Sequence, residues 1–327
     1  MTTAMPSGYD ALLVLSFGGP EKPEDVIPFL ENVLRGRNVP RERMLEVAEH
    51  YYHFGGKSPI NDQNRELIAR LEDLLAAEGP RVPVYWGNRN WRPFLADTMR
   101  QMRSDGVRRA LGFVTSAYSS YSGCRQYRED IAKAQAEVGE GAPEVAKLPA
   151  FYAHPRFVAV NAANVRAAIG EFATIPHVAF TAHSVPLAMA CTSRYEEQLK
   201  ETAALVAGRL GLSDWALVYQ SRSGPPSQPW LGPDIKDHIR ALHGEGREEL
   251  VIAPTGFLSD HLEVLYDLDT EAAAVCDELG IRMARAKTAG AHPEFVRMIR
   301  DLMLGGEVQV CDPGCCPPPQ RVTVCVR

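Results

Sequence analysis

Val178-Ala179-Phe180-Thr181-Ala182-His183-Ser184-Val185-Pro186 is an apolar run that ends on a histidine and is closed by a proline. Its near-continuous apolar character is that of a strand buried on both faces, as in a parallel sheet covered by helices. A histidine at the carboxyl end of such a strand stands where α/β proteins place their ligands. A second apolar run, residues 250–253, leads into Gly256-Phe-Leu-Ser-Asp260-His261-Leu-Glu263-Val-Leu-Tyr-Asp267-Leu-Asp269. A helix that starts at Asp260 puts Glu263, Asp267 and Glu271 at i, i+4 and i+8, in a row along one face. Like charges so spaced cost a bare helix about a few tenths of a kcal/mol per pair. The row is therefore either a solvated face or a path for a cation. Carboxylates with imidazole suit a hard or borderline divalent ion. Taken singly, an acidic helix face is usually solvated surface and a strand-end histidine is usually structural. The two segments together favour chemistry.

Outward from these segments, short apolar runs alternate with amphipathic stretches, the pattern of βαβ units and parallel sheets. In the first half, strands are expected near 10–17, 82–86, 109–116 and 144–149. Helices are expected near 24–34, 41–52, 60–78, 93–104 and 125–138. Ser58 followed by Pro59 reads as an N-cap with proline at the first helical position. In the second half, strands are expected near 177–183, 215–221, 249–255 and 281–286. Helices are expected near 155–171, 194–210, 233–243, 261–279 and 293–304. The fold class is thus α/β: two Rossmann-like domains facing across a cleft, each a parallel sheet flanked by helices, over residues 1–150 and 151–304. Residues 305–327 change character. Cys311-Asp-Pro-Gly-Cys315-Cys316-Pro-Pro-Pro is too rich in proline and glycine for helix or strand, and a metal would have to order it.

The chain of 327 residues, 45% hydrophobic, is long for one core and natural for two. Its net charge of −6 argues against nucleic-acid binding. No stretch approaches the roughly 18 apolar residues of a membrane span, and residues 1–8 lack the features of a signal peptide. A cytoplasmic location without stable membrane insertion is expected. Four of the seven cysteines, Cys311, Cys315, Cys316 and Cys325, crowd near the C-terminus. In a cytoplasmic protein that suggests metal rather than disulfides. The Gly18-Gly19-Pro20 turn does not match the dinucleotide fingerprint, which argues against a nicotinamide or flavin cofactor.

Five segments carry a family resemblance. Thr181-Ala-His183-Ser-Val-Pro186 and Ser259-Asp-His-Leu-Glu263-Val-Leu-Tyr-Asp267 resemble the two signature motifs of ferrochelatases, which insert ferrous iron into a porphyrin. Leu15-Ser-Phe17-Gly-Gly-Pro20 resembles that family's first strand and turn. His53-Phe-Gly-Gly-Lys-Ser58-Pro-Ile-Asn61 resembles its porphyrin-edge loop. Tyr219-Gln-Ser221-Arg-Ser-Gly-Pro with Pro229-Trp230-Leu-Gly-Pro233 resembles its fourth block. The likeness runs in order over about residues 9–304. The first turn and Gly87-Asn-Arg-Asn-Trp91 sit closest to the actinobacterial-type branch. The implied fold is chelatase-like. The implied substrates are a porphyrin and Fe²⁺, with transient contacts to neighbouring haem-pathway enzymes.

Metallation replaces two pyrrole protons by one divalent ion, so the site needs a base near neutral pKa and a route for a desolvating cation. Neutral imidazole is the natural base. His183 is assigned that role with metal contact as well, and Glu263 takes the ion or relays the proton; the resemblance implies the same pair. Asp267 and Glu271 would hand the ion inward, while Asp260 and His261 fix the helix start. Phe17, Tyr118, Tyr121 and Trp230 are candidates for stacking on the macrocycle or for ordinary core. At Phe17 many relatives carry tyrosine or methionine, and phenylalanine cannot ligate. Ser58 is either a propionate site at a helix N-terminus or only a cap. Ser221 falls in the fourth block and is carried over as substrate-binding.

Arg35-Gly-Arg-Asn-Val-Pro-Arg-Glu-Arg-Met44 is basic and polar where membrane-associated relatives carry an apolar lip, so no exposed apolar patch is expected there. That favours coproporphyrin III, with four propionates, over protoporphyrin IX. Relatives with a [2Fe–2S] cluster use one internal cysteine and three at the C-terminus, which maps onto Cys124, Cys311, Cys315 and Cys316. Cys325 is the alternative to Cys315 or Cys316, and Cys191 and Cys276 are spares. A zinc site or a free tail is the plainer alternative. A non-catalytic porphyrin or haem carrier is the rival function, and a base paired with a carboxylate row argues against it.

Overall fold

The structure, a computed structural model, describes Met5 and residues 8–36, 39–224 and 227–318. Strands β1 (Ala11–Ser16), β2 (Val84–Asn88), β3 (Arg109–Val114) and β4 (Glu144–Lys147) form one sheet, parallel throughout, in the order β2-β1-β3-β4. Strands β5 (His177–His183), β6 (Trp215–Gln220), β7 (Glu249–Ala253) and β8 (Arg282–Arg285) form a second parallel sheet in the order β6-β5-β7-β8. The α/β class and the parallel sheets expected from the alternating pattern are therefore present.

Two compact units contain these sheets. The first comprises residues up to 115, 126–149 and 296–310; the second comprises 116–125, 150–295 and the chain from 311. In the first unit lie α1 (Val26–Val33), α2 (Arg41–His53), α3 (Ile60–Glu78), α4 (Leu95–Ser104) and α5 (Gln126–Val138). All six residues of β1 are buried. Its Ala11, Leu13 and Leu15 pack with Leu95, Met99 and Met102 of α4 and with Ile131 and Ala134 of α5. Helix α3 begins at Ile60 with Pro59 as its N-cap, one residue later than the sequence suggests, and buries Leu67, Leu71 and Leu75 at four-residue spacing. Leu45 and Tyr52, seven residues apart on α2, are exposed at 42% and 38%. The solvent side of that segment is therefore less polar than its arginines imply.

The second unit carries α6 (Pro155–Ile169), α7 (Leu187–Ala190), α8 (Tyr195–Leu210), α9 (Ile235–Gly244), α10 (Leu262–Val264) and α11 (Ala273–Leu279), and the last described helix, α12 (Pro293–Gly305), lies mostly in the first unit. Side chains alternate along β5. Val178 and Phe180 pack with Val158 and Val165 of α6 and with Ala203 and Val206 of α8. Ala179 packs the other way, with Ile235, Ile239 and Leu242 of α9 and with Val264, Leu268 and Ala272. The same period of two sends His183 to the side of Ala179, toward the segment that carries the acids.

That segment is not the single α-helix expected over 261–279. Between α10 and α11, residues Leu265–Ala272 form a π-helix with i→i+5 hydrogen bonding. At 3.6 residues per turn, side chains four apart drift around the axis. The wider turn counters that drift and keeps Glu263, Asp267 and Glu271 closer to one line. Gly256 sets the approach of this segment to β5. Its amide donates to the Thr181 carbonyl at 2.9 Å, and a Cβ there would lie 2.5 Å from the Ala182 Cβ. Among the described residues no helix is long and apolar enough to cross a membrane.

Candidate active site

The ends of β5 and β6 and the start of the acidic segment meet around His183. The His183 Nδ1–H donates to the Ser184 carbonyl, which leaves Nε2 facing Glu263 at 3.7 Å. The Tyr195 hydroxyl of α8 donates to the His183 carbonyl at 3.0 Å and fixes the strand end from behind. Gln220, the register partner of His183 on β6, donates from Nε2 to the Glu263 carbonyl at 3.2 Å. One amide side chain thus ties the carboxylate's backbone to the strand beside the histidine. His261 lies on the other side, its Nδ1 3.8 Å from Glu263 Oε2.

The electrostatics of these groups follow from enclosure and charge. Desolvation opposes charge on His183, but the Glu263 carboxylate outweighs it and raises the imidazole pKa. Desolvation likewise opposes charge on Glu263, and the histidine beside it brings the carboxyl down to about 2. His261 is depressed by burial, and His183 adds to the depression. Burial pushes Asp267 up to about 6; the Ser221 hydroxyl opposes the rise, and the neighbouring Glu263 and Glu271 charges add to it. His183 is therefore a stronger proton acceptor than a free imidazole. Asp267 titrates where a proton can be taken up and released near neutral pH.

Ser221 shows how the scaffold holds this arrangement. It is one of two described non-glycine residues at positive φ, at 63°. The left-handed region costs an L residue about 1–2 kcal/mol. In that conformation its hydroxyl donates to Asp267 Oδ2. At the outer end of the row, Lys236 Nζ meets Glu271 Oε2 at 2.7 Å. Arg285, at the end of β8, donates to Asp260 at 2.9 Å and to Asp269 at 2.5 Å, pinning both ends of the turn that presents Glu263. Asp260 thus has the geometric role expected for it. Tyr195, Lys236 and Arg285 carried no sequence signal, since each acts through an element distant in sequence, and Gln220 lay within the fourth block without being singled out.

The remaining sequence candidates are distributed as follows. Tyr118 is buried, donates its hydroxyl to the Thr255 carbonyl at 2.7 Å and sets its ring edge-on to Tyr195. Tyr118 thus stands among core residues. Tyr121 begins a short π-turn that contains Cys124 and is half-buried. Trp230 is half-buried, and its Nε1–H has no hydrogen-bond partner among the described residues. Phe17 and Ser58 belong to the first unit. Phe17 is 38% exposed and meets Phe29 edge-on at 6.2 Å. Ser58 is buried, and its oxygen accepts from the Ile60 amide at 3.5 Å, one residue ahead of the Pro59 N-cap.

Cys124 and Cys316 are buried, Cys311 and Cys315 are half-buried, none of the four is in a disulfide, and Cys276 lies in the core with Ile281 and Val275. The Cys315 and Cys316 sulfurs are 3.6 Å apart. Burial, then Cys315, then Cys124 and Cys311 push the Cys316 thiol up to about 12. The three neighbouring thiols thus oppose ionisation of Cys316, and a compensating cation is the physical means of relieving that. Arg125 donates to the Pro313 and Cys315 carbonyls at 3.0 and 3.4 Å and ties the tail to the segment of Cys124. Among the described residues, no group of three or more His, Cys, Asp or Glu side chains is arranged to hold a metal ion. Cys325 lies outside the described residues.

Comparison with known proteins matches this architecture to one family. A family model described as Ferrochelatase matches residues 9–306. A ferrochelatase of Rhodopirellula baltica is 57% identical, over 94% of this chain and 93% of its own. Coproporphyrin III ferrochelatases of Nocardia farcinica and Streptomyces coelicolor are 48% and 47% identical, each over 95% of this chain and over 97% and 94% of their own. Among solved structures, SirB from Bacillus subtilis with Fe³⁺ superposes with a TM-score of 0.57 at 11% identity, over 90% of this chain and 96% of its own. CbiX, described as the terminal enzyme of sirohaem biosynthesis in denitrifying bacteria, gives 0.53 at 15% identity, over 91% and 99%. These two likenesses are of fold.

Proposed function

The chain belongs to the ferrochelatase family, and from that premise we propose that it inserts ferrous iron into coproporphyrin III to give coprohaem. The observation that carries the chemistry is the meeting of His183 Nε2 and the Glu263 carboxylate at 3.7 Å. His183 accepts pyrrole protons through Nε2, because Nδ1 is already committed to the Ser184 carbonyl. Glu263 raises the basicity of that nitrogen and attracts the incoming ion. A divalent cation at Glu263 competes for the charge that stabilises the imidazolium, so arrival of iron releases the proton from His183. Asp267, titrating near about 6, then takes that proton or the next hydrated ion along the row. Trp230, with its unpartnered indole N–H, and Tyr121 and Ser221 are the proposed macrocycle contacts of the second unit.

Coproporphyrin III is supported by the printed names of the relatives at 47–51% identity and by the arginines of residues 35–44, which suit a tetra-acid. Protoporphyrin IX is the second reading. It is favoured by the exposed Leu45 and Tyr52 on α2 and by the unqualified name of the relative at 57% identity. Steady-state kcat/KM with each porphyrin under anaerobic conditions decides between them. Coproporphyrin III should be preferred by about tenfold or more; equal or better kcat/KM with protoporphyrin IX in detergent reverses the choice.

We also propose a [2Fe–2S] cluster on Cys124, Cys311, Cys315 and Cys316. Its support is the setting of Cys316, whose ionisation burial, Cys315, Cys124 and Cys311 all oppose, and the tie of the tail to Arg125. A two-iron cluster spreads its four thiolates around two ions rather than one. The protein purified without oxygen should be brown. Loss of colour with Cys316→Ser and its retention with Cys325→Ser supports the ligand set. The reverse result makes Cys325 the fourth ligand.

A further inference from the structure

Lys236 closes the outer end of the carboxylate row, and we infer that it is a resident counter-ion that each incoming divalent cation must displace from Glu271. This inference rests on the proposed metal route and adds a control element to it. Lys236 is the second residue of α9, and its backbone is fixed by the helix cap, where Asp234 accepts from the Lys236 amide at 2.9 Å. From that fixed start the side chain crosses to the π-helix and places Nζ 2.7 Å from Glu271 Oε2. Both side chains are about one-third exposed, at 34% and 37%, so hydrated ions in solvent reach the pair. Many ion pairs of the protein are local, three or four residues apart on one helix. This one joins two elements and engages a member of the row.

An ammonium is a compact, hydrated charge on a flexible stem and carries no fork to grip a carboxylate bidentately. It neutralises Glu271 while no metal is present and gives way to an ion of higher charge. The consequence is kinetic as well as thermodynamic. A row of free carboxylates would hold a divalent ion at its outer end. A row whose outer carboxylate is already paired binds the ion more weakly there and lets it move inward to Glu263. Lys236 is in this sense a positioning residue that sets metal affinity, and it touches neither porphyrin nor the reacting nitrogens.

The test uses the full-length protein with Lys236→Met, which keeps the stem and removes the charge, and Lys236→Arg, which keeps the charge. Co²⁺ binding is followed by calorimetry without porphyrin, and apparent KM and kcat for ferrous iron are measured anaerobically with porphyrin. Lys236→Met should bind Co²⁺ about three- to fivefold more tightly, the scale of one partly exposed ion pair. Its apparent KM for iron should fall by a similar factor without a rise in kcat. Lys236→Arg should show no such gain and should bind Co²⁺ no more tightly than wild type, since its fork can grip Glu271 bidentately. Adding Glu271→Gln to Lys236→Met should abolish the gain. Wild-type Co²⁺ affinity in a folded Lys236→Met, while Glu271→Gln alone weakens binding, overturns the inference and leaves the metal route standing. If Glu271→Gln and Asp267→Asn also leave Co²⁺ binding unchanged, the metal route and this inference fail together.

Discussion

At the scale of single residues, the pairing of His183 with Glu263 is what a point change most directly disturbs. Glu263→Gln keeps shape and loses charge, so it should lower the His183 pKa and cut turnover by about 10²-fold or more. If turnover stays within a few-fold of wild type, Glu263 plays no part in proton or metal transfer. Asp267 offers a pH test. Its folded pKa is raised to about 6 from an ordinary 3.8. A carboxyl with a raised folded pKa favours the folded state below its unfolded pKa, and that advantage is lost as pH rises through about 6. Asp267→Asn should therefore be more stable than wild type at pH 7 and gain less at pH 4. An unchanged difference in melting temperature across that range would contradict the raised pKa. The position of His183 at a strand end was legible because the apolar run before it reads as a buried strand, and only the acidic segment set it apart from a structural histidine. Lys236, Gln220 and Arg285 were not legible, since nothing local distinguishes a lysine that reaches a neighbouring helix from one that points into water.

At the scale of elements, the acidic segment is the instructive case. Its periodicity reads as one helix over 261–279, and the start and end hold. The π-turn at Leu265–Ala272 is invisible to that reading because the apolar positions Val264, Leu268 and Ala272 satisfy an α-helical stripe equally well. Only packing against α9 and β7 selects the wider turn. Gly256→Ala tests how tightly this element is held to β5. Its new Cβ would meet Ala182 at 2.5 Å, and overpacking of this kind costs about 1–3 kcal/mol. A clear loss of melting temperature and a larger loss of turnover are expected; wild-type stability would show the approach to be loose. Beside the amino end of β5 lies a second titrating group, His238 of α9. His177 Nδ1 lies 2.7 Å from Asp214 Oδ1, and His177 Nε2 lies 3.0 Å from His238 Nε2. Burial, then His177, depress the His238 pKa from 6.5, while Glu245 and Asp214 oppose the shift. For a base with a depressed folded pKa, stability is present above 6.5 and lost as pH falls through the folded value. His238→Gln should lose less stability than wild type between pH 7 and pH 5. A parallel loss in both proteins would exclude this pair as a source of acid sensitivity.

At the scale of the whole molecule, two parallel four-stranded sheets of like order were legible because strands buried on both faces read as apolar runs. The grouping of residues 116–125 with the second unit was not legible, since a chain excursion leaves no mark in composition. Tyr118 illustrates the same limit, as sequence alone cannot separate an aromatic that stacks on a ligand from one that fills a core. The central claim is that His183 is the base for metal insertion into a bound porphyrin. The most direct measurement is the anaerobic Soret change on adding ferrous iron to wild type and to His183→Ala, each preloaded with coproporphyrin III. Wild type should convert the porphyrin, whereas His183→Ala should bind it with a comparable Kd and convert it at least about 10²-fold more slowly. Conversion by His183→Ala at more than about a tenth of the wild-type rate would contradict the account.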